Sequence, residues 1–155
     1  IAGVGSLGRD FYQSYVKDLN IEVVFNQTYA LFNEADAAIV SSGTATLETA
    51  LFNVPQVVCY QTSWLSYKIA KLLVDVKYIS LVNLIVDQEV VKELIQKDLT
   101  VTNMVSELSC ILSEEGSNII KQNYKDLKVL LGVEGVSERI SNAIVCDLKS
   151  VVKTL

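Results

Sequence analysis

Apolar positions along this chain fall into two regimes. Up to about residue 82 they form short blocks set between turn residues, with helically spaced stretches in between. The blocks at residues 1–5, 21–25, 37–41, 56–60 and 77–82 predict five strands. The block at 37–41 is apolar throughout rather than alternating, as in a parallel sheet covered by helices on both faces. Between the blocks, residues 10–19 place Phe11, Tyr15 and Leu19 on one helical face. Thr28 can N-cap a short helix to residue 34 with Tyr29, Leu31 and Phe32 turned inward. Residues 44–52 predict a helix stopped by Asn53, which tolerates a left-handed cap, and by Pro55. Residues 64–74 predict an apolar helix with Lys68 and Lys71 on its outer side.

From residue 87 onward the period is helical only. Val90, Val91, Leu94 and Ile95 stripe residues 87–97, and Met104, Val105, Leu108, Ile111 and Leu112 stripe residues 100–113. Two more helices are expected at 117–131 and 135–152, the last with Val136, Ile140, Ala143, Ile144, Leu148 and Val151 in line. The expected class is α/β: a Rossmann-like parallel sheet with helices on both faces and a helical C-terminal tail. The 155 residues suit a single domain, with strands and helices over 1–98 and the tail over 99–155.

Composition narrows the chemistry. A net charge of −5 argues against a nucleic-acid partner, which needs a basic face. The chain has no His, which removes His-based triads and His metal sites. Cys59, Cys110 and Cys146 form no paired motif and read as reduced packing residues of a cytoplasmic protein. The apolar runs are too short to span a bilayer, and neither a metal nor a cofactor is expected. Ile1 stands inside an apolar run with no initiator Met, so the chain reads as a fragment.

The stretch that carries chemistry is strand, tight turn and helix, from Ala35-Asp36 through Ser42-Gly43-Thr44-Ala45-Thr46 to Glu48. A helix start presents unpaired N–H groups and a partial positive charge, so it binds phosphate without Lys or Arg. Gly43 admits close approach, and Ser42, Thr44 and Thr46 can add hydroxyl donors. Glu48 lies one turn further along, on the Thr44 face, where a carboxylate can hold a ribose diol. The plainer alternative is a capped helix with a solvated Glu.

Residues 31–58, LFNEADAAIVSSGTATLETALFNVPQVV, are similar to the donor-site signature of GT-B glycosyltransferases. Residues 78–96, YISLVNLIVDQEVVKELIQ, resemble the corresponding segment of the lipid-A-disaccharide synthase family, and WLSYKIAKLLV at 64–74 lies between. This resemblance implies the donor-binding half of a GT-B fold. The implied reaction moves diacylglucosamine from UDP to diacylglucosamine 1-phosphate with inversion. It also implies Ser42, Gly43 and Thr44 at the diphosphate, Glu48 at the ribose, and Asn83 as a residue important for activity. The lipid acceptor would be held mainly by an amino-terminal half outside this chain. That half would also carry the catalytic base. The resemblance further admits peripheral association with the inner membrane and a homodimer.

The chain departs from many relatives in carrying Val82 for Pro and Asp87-Gln88 for Gly-Arg, and it lacks the family's Gly-Ser-Arg turn. Gly3, Gly5 and Gly8 match a dinucleotide fingerprint, but Phe25-Asn26-Gln27 lacks the acidic residue that fingerprint needs. The 64–74 helix reads as a sheet-covering helix rather than an interfacial one. Asp87, Glu89 and Glu93 read as helix N-terminal charges, Glu93 on a solvated face, rather than a metal site. Rival functions are a UDP-sugar epimerase of the same fold and a non-catalytic Rossmann-like interaction module. One structural expectation follows from the family's strand order. If residues 1–5 form its second strand, a central strand is absent between them and residues 37–41.

Overall fold

The computed structural model describes residues 1–63, 67, 77–132 and 135–152, with side chains as far as Cys146. Among the described residues, strands and helices alternate before a run of helices: β1 (Ala2–Gly3), α1 (Gly8–Val16), β2 (Val24–Phe25), α2 (Thr28–Glu34), β3 (Ala38–Ser41), α3 (Thr44–Leu51), β4 (Gln56–Tyr60), α4 (Leu81–Val86), β5 (Lys92–Ile95), α5 (Val101–Leu112), α6 (Glu114–Leu131) and α7 (Val136–Val152). Every strand pairing is parallel. The α/β class is therefore as expected, and the helix expected at 64–74 lies, apart from Tyr67, outside the described residues.

The strands form two sheets, β1-β2 and β3-β4-β5. β1 and β3, the two strands expected to flank an absent one, belong to different sheets. They do not pair directly, and Ile39 on β3 is 50% exposed. The larger sheet is ordered by β4 at its centre, where Gln56, Val57 and Val58 are all fully buried. Consecutive buried positions mean that both faces of that strand are covered.

Two expected elements are corrected. The strand expected at 77–82 is irregular chain leading into α4, because the Ser80 side chain caps that helix by accepting from the Asn83 N–H at 3.3 Å. The helix expected at 87–97 is β5 followed by a short 3-10 turn at Gln96–Asp98. Asp87 takes a left-handed φ of 53° and ends α4, and the β-branched Val90 and Val91 lead into a strand that pairs with β4. Apolar residues at 90, 91, 94 and 95 fit a helix stripe, whereas in an extended chain 90 and 94 share one face and 91 and 95 the other. Pairing with β4 rather than spacing therefore sets the strand.

One core joins the larger sheet to α3, α4, α5 and α6. It contains Ala50, Val57, Val58, Val82, Val91, Leu94, Ile111, Ile120, Tyr124 and Leu127. A polar strut runs through it. Gln56 Nε2 donates to the Thr46 carbonyl at 2.8 Å and to Tyr124 Oη at 3.0 Å, and Tyr124 Oη donates to the Val54 carbonyl at 3.2 Å. Helices α5 and α6 meet at Ser113, whose hydroxyl accepts from the Gly116 N–H at 3.1 Å. A side chain at Gly116 would collide with the Cys110 carbonyl, so this tight helical corner needs glycine. All three cysteines are free, with Cys110 and Cys146 exposed and the Cys59 thiol pushed up by burial.

Candidate functional site

Strand β3 delivers the chain to Ser42 and Gly43, and α3 starts at Thr44. Gly43 has φ 134°, a region L side chains rarely enter, and the space where a Cβ would stand is empty. The first N–H groups of α3, at Thr44 and Ala45, have no partner within the helix. Gly43 and Thr44 are exposed, so this turn offers backbone donors to solvent.

The other expected donors behave differently. The Ser42 hydroxyl donates to the Ile79 carbonyl at 2.9 Å, so its proton is directed into the protein. Thr46 is fully buried, and its hydroxyl donates to the Gly43 carbonyl at 2.8 Å, closing the first turn of α3. The Thr46 hydroxyl therefore serves the first turn of its own helix. Asn83 is also fully buried. Its amide donates to the Val91 carbonyl at 2.8 Å and to Glu93 Oε1 at 2.9 Å, and its oxygen accepts from Val90 N–H at 2.8 Å and Val91 N–H at 3.0 Å. Two donors and two acceptors are the whole capacity of an Asn side chain, so none is left for a substrate in this structure.

Glu48 is half-exposed and lines an open cleft of about 440 Å³ with Asn26, Gln27, Thr28, Tyr29 and Ala30. Ser42, Gly43, Thr44 and Asn83 are not part of that lining. The cleft's second wall was missed in the sequence, where Asn26 drew notice only for not being acidic. The signal that could have found it is the rule that ligands bind beyond the carboxyl ends of strands, since Asn26 directly follows β2. Tyr29 stacks on Phe52 with ring centroids 5.2 Å apart, which ties the α2 wall to the end of α3.

Glu93 departs from its expected place. It is not on a solvated helix face. It stands half-buried on β5, and its carboxylate accepts from the Ile79 and Ser80 N–H groups, from Ser80 Oγ and from Asn83 Nδ2. Among the described residues, no group of three or more Cys, Asp or Glu could hold a metal ion, and no helix is long and apolar enough to cross a membrane.

With this geometry in place, comparison with known proteins fixes the lineage. Residues 9–146 match the profile of the lipid-A-disaccharide synthetase family. The chain belongs to that family. It is 46% identical over 108 residues to the lipid-A-disaccharide synthase of Psychromonas ingrahamii, which covers 70% of this chain and 28% of that protein. The synthase of Syntrophus aciditrophicus is 38% identical over 120 residues, 77% of this chain and 31% of the relative. That of Anaeromyxobacter dehalogenans is 31% identical over 134 residues, 86% of this chain and 35% of the relative. The chain thus spans about a third of the length of these curated lipid-A-disaccharide synthases.

Proposed function

We propose that this chain is the UDP-sugar-binding part of an inverting glycosyltransferase that moves diacylglucosamine from UDP to diacylglucosamine 1-phosphate. The observation that carries the reading is the arrangement on α3. An open turn with free backbone donors begins the helix, and Glu48 one turn later borders an open cleft. On this reading the Thr44 and Ala45 N–H groups and the Thr44 hydroxyl meet the UDP diphosphate. Glu48 accepts from the ribose hydroxyls, and the cleft between Asn26–Ala30 and Glu48 receives the nucleoside.

Charge builds on the departing UDP in the transition state, so pre-oriented donors at that turn stabilise the leaving group without a metal. Ser42 contributes by holding the turn. Asn83 contributes by locking the start of α4 to the chain entering β5, a positioning role that accounts for its importance in the resemblance. The lipid acceptor and the base that activates it belong, in this proposal, to residues outside these 155.

The test is titration of the ¹⁵N-labelled chain with UDP. Amides of Gly43–Ala45, Glu48 and Asn26–Tyr29 should shift together. Gly43→Val, which strains the backbone and fills the empty space above the turn, should weaken UDP binding by about tenfold or more. Shifts confined to other regions, or unchanged binding by Gly43→Val, would sink the assignment.

A further inference from the structure

Glu93 stands on β5 opposite Val58 of β4, and its carboxylate gathers donors from one short stretch of chain. Oε1 accepts from Ser80 N–H at 2.9 Å, Ser80 Oγ at 2.7 Å and Asn83 Nδ2 at 2.9 Å. The Ile79 N–H is shared between Oε2 at 3.0 Å and Oε1 at 3.2 Å. On the far side of the same stretch, the Ile79 carbonyl accepts from Ser42 Oγ at 2.9 Å.

The Ile79 carbonyl and the Ser80 N–H are two ends of one peptide group. That group donates to a carboxylate at one end and accepts from the Ser42 hydroxyl at the other. A hydrogen bond to a charged acceptor is stronger than a neutral one. It also polarises the peptide, so the carbonyl at the other end becomes a better acceptor. The chain of bonds from Glu93 therefore ends at the residue that precedes Gly43.

We propose that Glu93 is a positioning residue for the Ser42–Thr44 turn, acting through the 79–80 peptide group and the Ser42 hydroxyl; its bearing on nucleotide binding rests on the function proposed above. By fixing the Ser42 hydroxyl inward, Glu93 leaves the backbone N–H groups and Thr44 as the donors of the turn. Its sequence position, on a strand far from the turn, gives no hint of this. The link exists only because the β3–α3 turn and the 79–83 segment meet in space.

The experiment is a double-mutant cycle on the ¹⁵N-labelled chain with Glu93→Gln, Ser42→Ala and the pair, read without ligand and then with UDP. Without ligand, Glu93→Gln should move the Gly43 and Thr44 amide signals, and that movement should vanish in the Ser42→Ala background. In the other direction, Ser42→Ala should move the Ser80 amide. With UDP, Glu93→Gln should raise Kd by about fivefold or more when Ser42 is present and leave it unchanged when Ser42 is Ala. The proposal is overturned if Glu93→Gln moves only signals of residues 79–83, or if its effect on Kd is equal in both backgrounds. Should Glu93→Gln fail to fold, an unmoved Ser80 amide in Ser42→Ala overturns it equally. If the unmodified chain does not bind UDP, the functional proposal falls, while the ligand-free half of the cycle still decides the role of Glu93.

Discussion

The β1–α1–β2 unit and the β3–β4–β5 sheet use the same vocabulary of parallel strand and amphipathic helix, yet only one of them makes a core. In the first, Val16 and Val23 are the buried hydrophobic residues, while Ile1, Val4, Leu7, Phe11, Tyr15, Leu19 and Ile21 remain 44–72% exposed. In the second, Val57, Val58, Val82, Tyr124 and Leu127 are fully buried. The difference lies in layers. Each strand of the first unit is two residues long and the sheet has two strands, whereas β4 is paired on both sides and covered by helices on both faces. Two short strands cannot bury enough surface to be stable alone. An amphipathic stripe specifies where a helix wants a partner, and it does not supply one.

The sharpest break of this comparison is a pair of truncations. Leu127→Ala in α6 empties a fully buried site and should cost about 2–5 kcal/mol. Leu19→Ala, at a position 58% exposed, should change stability by no more than about 0.5 kcal/mol. Urea unfolding followed by far-ultraviolet circular dichroism measures both. Similar losses would mean that the two regions form one cooperative core after all.

Alkali gives a second contrast. Burial pushes the Tyr124 phenol well above its ordinary value of 10.0, so the folded state keeps a proton that the unfolded chain gives up. The stability of the Gln56–Tyr124 strut is therefore fully present below pH 10 and falls as pH rises above it. The loss should approach about 1.4 kcal/mol per pH unit. Tyr124→Phe lacks the ionisable group and should lose that slope, at the cost of the bond to Val54. If both proteins lose stability equally between neutral pH and alkali, the strut is not what titrates.

How much of this was readable from residues alone depends on whether local chemistry or tertiary pairing decides. Asn53 before Pro55 marked the end of α3 correctly, because a left-handed cap and a proline act through the backbone of their own neighbourhood. The 56–60 strand and the start of α5 after Thr100 were readable for the same reason. Residues 90–95 were not, since their apolar spacing points to a helix and pairing with β4 overrode it. The site shows the same division. Gly43, Thr44 and Glu48 lie on one turn and helix and could be seen together, whereas the cleft wall at Asn26–Ala30 and the Glu93 clamp depend on segments that meet only in the fold. Thr46 and Asn83 could be picked out as polar residues near a turn, but not as residues whose hydrogen bonds are spent inside the protein.

The smallest effect is also the most discriminating, because a left-handed asparagine stands in each region. Asn26, just after β2, and Asn53, just before β4, adopt left-handed conformations with φ 57° and 63°. Neither needs its side chain for a core contact, and Asn is tolerated there because its short amide eases a conformation that Ala resists. Replacing either with Ala should impose about the same local penalty, about 1 kcal/mol. What differs is where that penalty can be felt. Asn53 connects α3 to the central strand of the main sheet, so Asn53→Ala should lower the global urea midpoint by the amount of the strain. If β1–α1–β2 opens independently of the core, Asn26→Ala should leave the global midpoint where it is. It should instead speed hydrogen exchange at Ala2, Gly3, Val24 and Phe25, whose ladder it feeds. Equal shifts of the midpoint by both variants would show that the two sheets unfold as one, and that exposed apolar side chains on α1 do not mark a separate folding unit.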